Sequence, residues 1–335
     1  MSDGRVECWG RSYPVTTDTQ VPVPVPGLRG VRAVSSGFHF NCAVLRSGSV
    51  ECWGDDGHGQ LGDGTTNDTG SPVPVRGLSD AVAVSAGGFH ACAVRATGAV
   101  YCWGRNLRGA LGNGAGKDSS VPVAVAGIHT AVAVSAGYED DETCALLRGG
   151  RIRCWGANGS GQLGVGRLGD SARPVTVRGL ARAAGVAAGG QHVCAVLTRG
   201  AVYCWGHNDL GQLGTGTTLD SARPVRVRGL PGRARAVAVT PRSYSCAVLV
   251  SGAVYCWGIN KKAQLGTGSS GPPSLVPVRV AGVTDAVAVS AGVGHACVLL
   301  ARGGAECWGY DDYGQLGNGP ATKLLHTASP VVFGG

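Results

Sequence analysis

The chain has 335 residues, enough for two ordinary domains or for one large repeat architecture, and its 58 glycines exceed the average share of about 7 % without following a collagen period. Charged residues are only 15 % of the chain; the net charge of +8 comes from 29 Lys and Arg against 21 Asp and Glu, mostly arginines scattered singly. A dispersed excess supports solubility, whereas a nucleic-acid groove needs clustering on one face, so no specific nucleic-acid partner is expected. No run of about 18 apolar residues suggests a membrane span, and no signal-peptide pattern follows Met1.

Self-similarity organises the chain. Cys-Trp-Gly occurs seven times, beginning at Cys8, Cys52, Cys102, Cys154, Cys204, Cys256 and Cys307, and holds all seven tryptophans. Its steps are 44, 50, 52, 50, 52 and 51 residues. Pro-Val-x-Val or a close variant starts at Pro22, Pro72, Pro122, Pro174, Pro224, Pro277 and Pro330, while an Ala/Val run such as residues 81–87 appears only six times.

In chain order, residues 1–28 read as half a unit. Ser2-Asp3-Gly4 forms a turn, residues 5–9 a third strand, and the loop from Arg11 to Gln20 lacks the Gly-Gln-Leu-Gly found later. Met1 reads as an internal start, and Pro330 to Gly335 stop where a new Ala/Val strand would begin. This half unit is expected to be the weak point, because an isolated hairpin is marginal in water and its third strand presents an open edge beside Val6 and Cys8. A dimer through that open edge is therefore expected.

Six full units follow, at 29–78, 79–128, 129–180, 181–230, 231–283 and 284–335. In the second, short apolar runs at 81–85, 91–95, 99–103 and 122–125 are separated by turn signals, with no helical period. Four short strands per ~50 residues describe a propeller blade, since a linear β-solenoid shows shorter repeats. The expected fold is all-β: a seven-bladed β-propeller-like ring of four-stranded blades, with the first blade incomplete and holding only its two outer strands.

The runs Ala188-Gly189-Gly190-Gln191-His192-Val193-Cys194-Ala195-Val196, Gly200 to Asn208 and Gly211-Gln212-Leu213-Gly214 resemble the regulator-of-chromosome-condensation repeat, over essentially the whole chain. The resemblance implies a seven-bladed propeller. It does not carry the exchange-factor activity of the founding member, because the fold hosts unrelated functions. The long insertion and basic tail associated with that activity are absent, as are the extra tryptophans of the ultraviolet-receptor branch.

Cysteines pair at a constant separation of ten: Cys42 with Cys52, Cys92 with Cys102, Cys144 with Cys154, Cys194 with Cys204, Cys246 with Cys256, and Cys297 with Cys307. A three-residue hairpin loop ending in glycine separates each pair of strands and makes Leu45 and Ser49 the hydrogen-bonded closing pair. Cys42 then faces Cys52 at a non-hydrogen-bonded site, where side chains come closest. Six disulfides would indicate an oxidising compartment; the alternative is cysteine as a small apolar filler between blades.

His90, His192 and His295 each precede a cysteine by two residues, but they lie on different blades and lack Cys-x₂₋₄-Cys knuckles. They are read as bonding backbone near the blade turn. No metal or other cofactor is expected, and no nucleophile elbow, phosphate loop or zinc-protease motif suggests an enzyme. The Gly-Gln-Leu-Gly loops read as scaffolding, with Leu plugging between blades. The repeat varies most in the loops between first and second strands: Phe38-His39, Gly88-Phe89, Gly190-Gln191, Arg242-Ser243 and Val293-Gly294, and a longer one, Tyr138-Glu139-Asp140-Asp141-Glu142. Its four acids fit simple solvation, a basic partner or a cation. Phe38, His39, Phe89, Tyr138, Glu139, Asp140, Asp141, Glu142, Gln191 and Arg242 are the candidate binding-face residues. The expected function is a non-catalytic binding module, secreted or periplasmic, with an unidentified protein partner. The bacterial branch of the resembled family uses such a face in a secreted enzyme inhibitor. The alternative is a cytosolic exchange-factor-like regulator of a small GTPase.

Overall fold

The computed structural model describes residues 4–11, 18–138, 141–241 and 243–333. These form six four-stranded antiparallel sheets, each ordered as its strands occur in the sequence, and one two-stranded sheet. One 3-10 turn, Leu107–Gly109, is the only helical element among the described residues. The four-stranded sheets are blades 1 to 6, with innermost strands Val31–Ser36, Ala81–Ala86, Ala131–Ala136, Ala183–Ala188, Ala234–Val239 and Ala286–Ala291. Serines tie the inner strands of the first four blades around the axis: Ser35, Ser85 and Ser135 Oγ accept the amides of Ala86, Ala136 and Ala188 at 2.9–3.0 Å.

Blade 4 shows how local sequence sets the register. Its second strand, His192–Leu197, and third strand, Val202–Gly206, flank Thr198-Arg199-Gly200. Leu197 N–H donates to Ala201 at 2.9 Å, closing the hairpin, and Gly200 takes a φ of +83°. Counting outward puts Cys194 opposite Cys204, and the same register recurs in every complete blade. All six cysteine pairs are disulfides, with Cα atoms 4.0–4.1 Å apart. Eleven of the twelve bridged cysteines are fully buried, so the bridges belong to the packed layers between blades. Cys8 has no bridge and is half-buried.

Blades join through the tryptophan of one and the Gly-Gln-Leu-Gly loop of the blade before it. Trp205 Nε1 donates to the Gln162 carbonyl at 2.8 Å, and Trp103, Trp155, Trp257 and Trp308 do the same to Gln60, Ala110, Gln212 and Gln264 at 2.7–2.9 Å. The loop leucines, Leu61, Leu111, Leu163, Leu213, Leu265 and Leu316, are all buried. Gly164 lies against the indole: a Cβ there would stand 2.9 Å from Trp205 Nε1, and its φ is +67°. That position admits only glycine without strain.

The half blade, Glu7–Gly10 with Thr19–Pro24, takes the seventh position and is not isolated as the sequence suggested. Trp9 Nε1 donates to the Gln315 carbonyl of blade 6 at 3.0 Å. Val6 and Leu28 pack with Ala43 and Trp53 of blade 1. The repeat's own interblade contacts therefore hold two strands on both sides. What the half blade lacks shows in blade 6, where Leu299 is 51 % exposed while its counterparts Val44, Val94, Leu146, Val196 and Val248 are buried.

A second correction concerns charge. The arginines are scattered singly in sequence but not around the ring: residues 143–240 hold thirteen of the twenty-five arginines and three acids, a net charge of +10 against −2 for the rest. The excess is thus concentrated on the sector of the ring that runs from the second strand of blade 3 to the first strand of blade 5.

Two measurements test this architecture. Mass spectrometry without reductant, on protein made through an oxidising route, is expected to show the six bridges with Cys8 alone alkylated. Trp205→Phe keeps the buried ring but leaves the Gln162 carbonyl unpaired, so the urea midpoint is expected to fall by the equivalent of about 1–2 kcal/mol; Trp9→Phe, at a half-buried position, is expected to lose less.

Candidate functional site

The loops between first and second strands and those between third and outer strands emerge on one face. One backbone bond repeats to fix their mutual position. The residue after Cys-Trp-Gly donates its N–H to the loop residue just before the second strand: Asp55 to His39, Arg105 to Phe89, His207 to Gln191, Ile259 to Ser243 and Tyr310 to Gly294, all at 2.8–2.9 Å. Gly206 must be glycine for this, since a Cβ would sit 2.3 Å from the Gln191 carbonyl and its φ is +103°. Loops of successive blades are also laced together: Phe38 N–H to Gly87 at 3.1 Å, Gly88 to Gly137 at 3.0 Å, and Tyr138 to Gly189 at 3.4 Å.

That lacing gathers side chains from three blades. The Phe38 ring lies edge-on to Phe89 at 5.5 Å and to Tyr138 at 5.6 Å, and stacks obliquely on His39 at 3.9 Å. His58 adds a further edge contact to Phe89 at 5.5 Å. The Arg105 guanidinium sits over the Phe89 ring, 4.2 Å from its centroid, and pairs with buried Asp141 at 2.8 Å. A cation held over an aromatic face and anchored by a buried carboxylate is stiff and desolvated. His39 and Asp141 hold the same loop place, with φ of 64° and 58°, which costs non-glycine residues roughly 1 kcal/mol or more. Burial, then the charge of Arg11, pushes the His39 imidazole below its ordinary range.

Of the candidate residues, Phe38, His39, Phe89 and Tyr138 therefore converge, and Gln191 stands half-buried on the next blade. Glu139, Asp140 and Arg242 lie outside the described residues. Asp141 and Glu142 are on the same loop but fully buried: Asp141 holds Arg105, and Glu142 Oε1 accepts the Gly190 amide at 2.6 Å, tying blade 3 to blade 4. Simple solvation does not describe these two acids. Arg105 and His58 were not singled out from sequence; the signal available was variation at the residue after Cys-Trp-Gly and at the residue two before the loop Gln.

The histidines also differ from expectation. His90 Nε2 and His192 Nε2 meet hydroxyls of the next blade, Thr143 Oγ1 at 2.8 Å and Ser245 Oγ at 2.9 Å, rather than backbone. The second strand of each following blade presents its second residue across the interblade gap, and Thr or Ser there supplies the partner. Burial lowers both imidazoles to about 3, so they are neutral. His192 and Ser245 have the spacing of a base and a nucleophile, but both are fully buried and Ser245 donates to the Gln212 carbonyl. The pair braces two blades. Among the described residues, no three His, Cys, Asp or Glu side chains gather as a metal set.

The chain was compared with known proteins. A model of the RCC1-like domain matches residues 71–333, and models of the regulator of chromosome condensation (RCC1) repeat match 47–94 and 31–60. The ultraviolet-B receptor UVR8 of Arabidopsis thaliana is 32 % identical over 196 residues, 57 % of this chain and 44 % of the receptor. The E3 ubiquitin-protein ligase HERC2 of Homo sapiens is 37 % identical over 81 residues, 23 % of this chain and 2 % of the ligase. The chain thus spans less than half the length of these relatives. Among solved structures, human WBSCR16 superposes with a TM-score of 0.87 at 21 % identity, covering 98 % of this chain and 95 % of that one. Prp20p of Saccharomyces cerevisiae, described with its binding to Gsp1p and histones, gives 0.85 at 20 % identity, covering 98 % and 86 %. At these identities the structural likeness concerns the fold.

Two of the long loops beside the crown carry aspartate, Asp56 in blade 1 and Asp311 in blade 6, where the other complete blades carry asparagine, and the first has a measurable consequence. Asn106, Asn158 and Asn208 each accept a leucine amide five residues on and donate through Nδ2 to two loop carbonyls. Blade 1 has Asp56 there, accepting from Leu61 N–H and the Thr65 hydroxyl. Burial raises its carboxyl to about 6; the Leu61 and Thr65 bonds oppose this, and Asp63 and Asp68 add to it. The folded protein thus holds this proton more tightly than the unfolded chain, so the stability contributed here is greatest below about pH 4 and is lost as pH rises through about 6. Asp56→Asn is expected to raise the urea midpoint at pH 7.5, by the equivalent of about 2 kcal/mol, and to raise it less at pH 4.5.

Proposed function

Because the chain belongs to the regulator-of-chromosome-condensation repeat family, whose propeller is a protein-interaction or regulatory module, we propose that it is a non-catalytic binding propeller that works outside the cytoplasm and grips a protein partner with its loop crown. The observation that carries this is the contiguous Phe38–Phe89–Tyr138 cluster, built from three blades and backed by the Arg105–Asp141 pair. Rigid aromatic groups with a desolvated arginine at their centre are the residue types that anchor protein interfaces. The six disulfides point to an oxidising environment, which supports a secreted or periplasmic setting. The partner is a protein that supplies an apolar or aromatic side chain to the cluster and an acceptor near Arg105. The half blade's open edge is assigned to pairing with a second copy.

The competing reading is a cytosolic exchange-factor-like regulator of a small GTPase, which requires the protein to fold and act with reduced thiols. A photo-crosslinking residue placed at Tyr138 is expected to give one discrete protein adduct in the extracytoplasmic fraction of the source cells. Phe38→Ala with Phe89→Ala is expected to abolish the adduct, and the same crosslinker at Ser251, on the opposite face, to give none. Equal adducts from both faces, or stimulated nucleotide release from a small GTPase by the reduced protein, would overturn the proposal.

A further inference from the structure

The excess positive charge of blades 3 and 4 is not neutralised by ion pairs among the described residues. Among the described residues, none of the thirteen arginines between Arg148 and Arg235 forms an ion pair with an acid. Twelve of the thirteen are exposed. The same positions in other blades are handled differently. The residue before the first strand, marked by the carbonyl that receives the turn amide, is Asp80 in blade 2 and Asp285 in blade 6. Those aspartates pair with Arg95 at 2.6 Å and Arg302 at 2.8 Å. In blades 4 and 5 the equivalent residues are Arg182 and Arg233, so the sign is reversed where a neutralising partner would stand.

Concavity accompanies the charge. A groove of about 1000 Å³ runs along the outer strand of blade 4, Ser221–Arg226, lined by Arg199, Arg226, Arg228 and Arg233, with Leu219 and Thr217 at its other end. Its one acid, Asp220, already accepts the Asn208 amide at 2.7 Å and contacts His207. Leu219 is 75 % exposed. Pro224, in the outer strand, has no N–H, so strand addition along this edge lacks a donor and recognition falls to side chains.

We propose that this groove is a second binding surface, independent of the crown, and that it takes an acidic polypeptide segment carrying an apolar side chain. Every basic residue of the span is arginine, whose planar fork pairs bidentately with carboxylates. The groove has no aromatic side chain on which a base could stack, which weighs against single-stranded nucleic acid. Leu219 offers an apolar contact at the end away from the arginines, which a bare phosphate backbone would not use. Carboxylates of the segment lie against Arg226, Arg228 and Arg233, and its apolar residue covers Leu219.

The test uses the full oxidised chain and fluorescence anisotropy. The probe is a fluorescein-labelled oligo-glutamate peptide with leucine at one end; an oligothymidylate of equal charge and phosphatidylglycerol vesicles serve as the other arms. Combined Arg226→Glu, Arg228→Glu and Arg233→Glu is expected to weaken peptide binding by about tenfold or more. A control with equal charge change, Arg29→Glu, Arg76→Glu and Arg279→Glu, alters exposed arginines outside blades 3 and 4 and is expected to change it less than about twofold. Leu219→Ser is expected to weaken the leucine-bearing peptide but not its leucine-free counterpart. Equal losses in the two triple variants would reduce the effect to bulk charge and overturn the proposal. Tighter groove-dependent binding of the oligothymidylate or the vesicles than of the peptide would overturn it in favour of a phosphate ligand. Because all these side chains are exposed, a thermal melt of each variant separates loss of binding from loss of fold. The crown crosslink at Tyr138 is untouched by any of them, so the two surfaces succeed or fail separately.

Discussion

The ring depends on one recurring bond, made by six of the seven tryptophans, from the indole to a backbone carbonyl in the loop of the blade before it. A single β-sheet of four short strands cannot bury both its faces, and a stack of such sheets is stable only when each blade is held against the next. The indole does this with an apolar ring and one directed donor. Because the ring is buried, its N–H must find a partner, and because the partner is a main-chain carbonyl the loop must keep its shape. Hence the glycine beneath the indole, the leucine plug beside it and the asparagine or aspartate that closes the loop. The half blade obeys the same rule: Trp9 meets Gln315 as Trp205 meets Gln162, and two strands occupy the seventh place because the bond lies on the outer half of a blade.

The disulfides act in another direction. They join the second and third strands within a blade covalently, and between blades they contribute only packing. Each closes a ten-residue separation across a hairpin, so its effect is to fix the register that presents the tryptophan one residue further on. Register and interblade bond are therefore coupled: a slip of one residue would turn the indole away from the loop it must reach. The buried histidines add a third kind of tie, and their neutrality follows from the same burial that protects the indole bonds.

Function rides on positions that this scaffold leaves unconstrained. On the loop face, the backbone of the residue before the second strand is fixed by its bond to the next loop, while its side chain is free to vary. Phe89 uses that freedom, and Phe38 and Tyr138 from the neighbouring loops meet it in a continuous apolar surface, with Arg105 delivered beneath by the same backbone bond. On the periphery of blades 3 and 4, exposed strand and linker positions accumulate arginine with no acidic partner among the described residues. One surface is aromatic and stiff, the other cationic and open. A propeller can carry both because its blades change side chains independently around a shared frame.

The sequence alone determined the blade count, the four strands per unit, the hairpin register and the cysteine pairing, because each is a local property copied through the repeat. A three-residue turn sets which residues face each other across a hairpin, and no distant contact can alter that. Only the tertiary structure decided what lies next to what between blades. Phe38 and Tyr138 are separated by two repeats, and nothing in the chain says that their rings meet. The acidic loop could be read as solvated until Asp141 was seen beneath Arg105 and Glu142 against the Gly190 amide. Histidine partners were misjudged for the same reason, since Thr143 and Ser245 come from the neighbouring blade. The arginine groove also depends on the fold, since Arg199 comes from a separate segment of the chain than Arg226, Arg228 and Arg233, and all four line one concavity. Period and spacing are written in the chain, whereas contacts across the gap between blades exist only once the ring has formed.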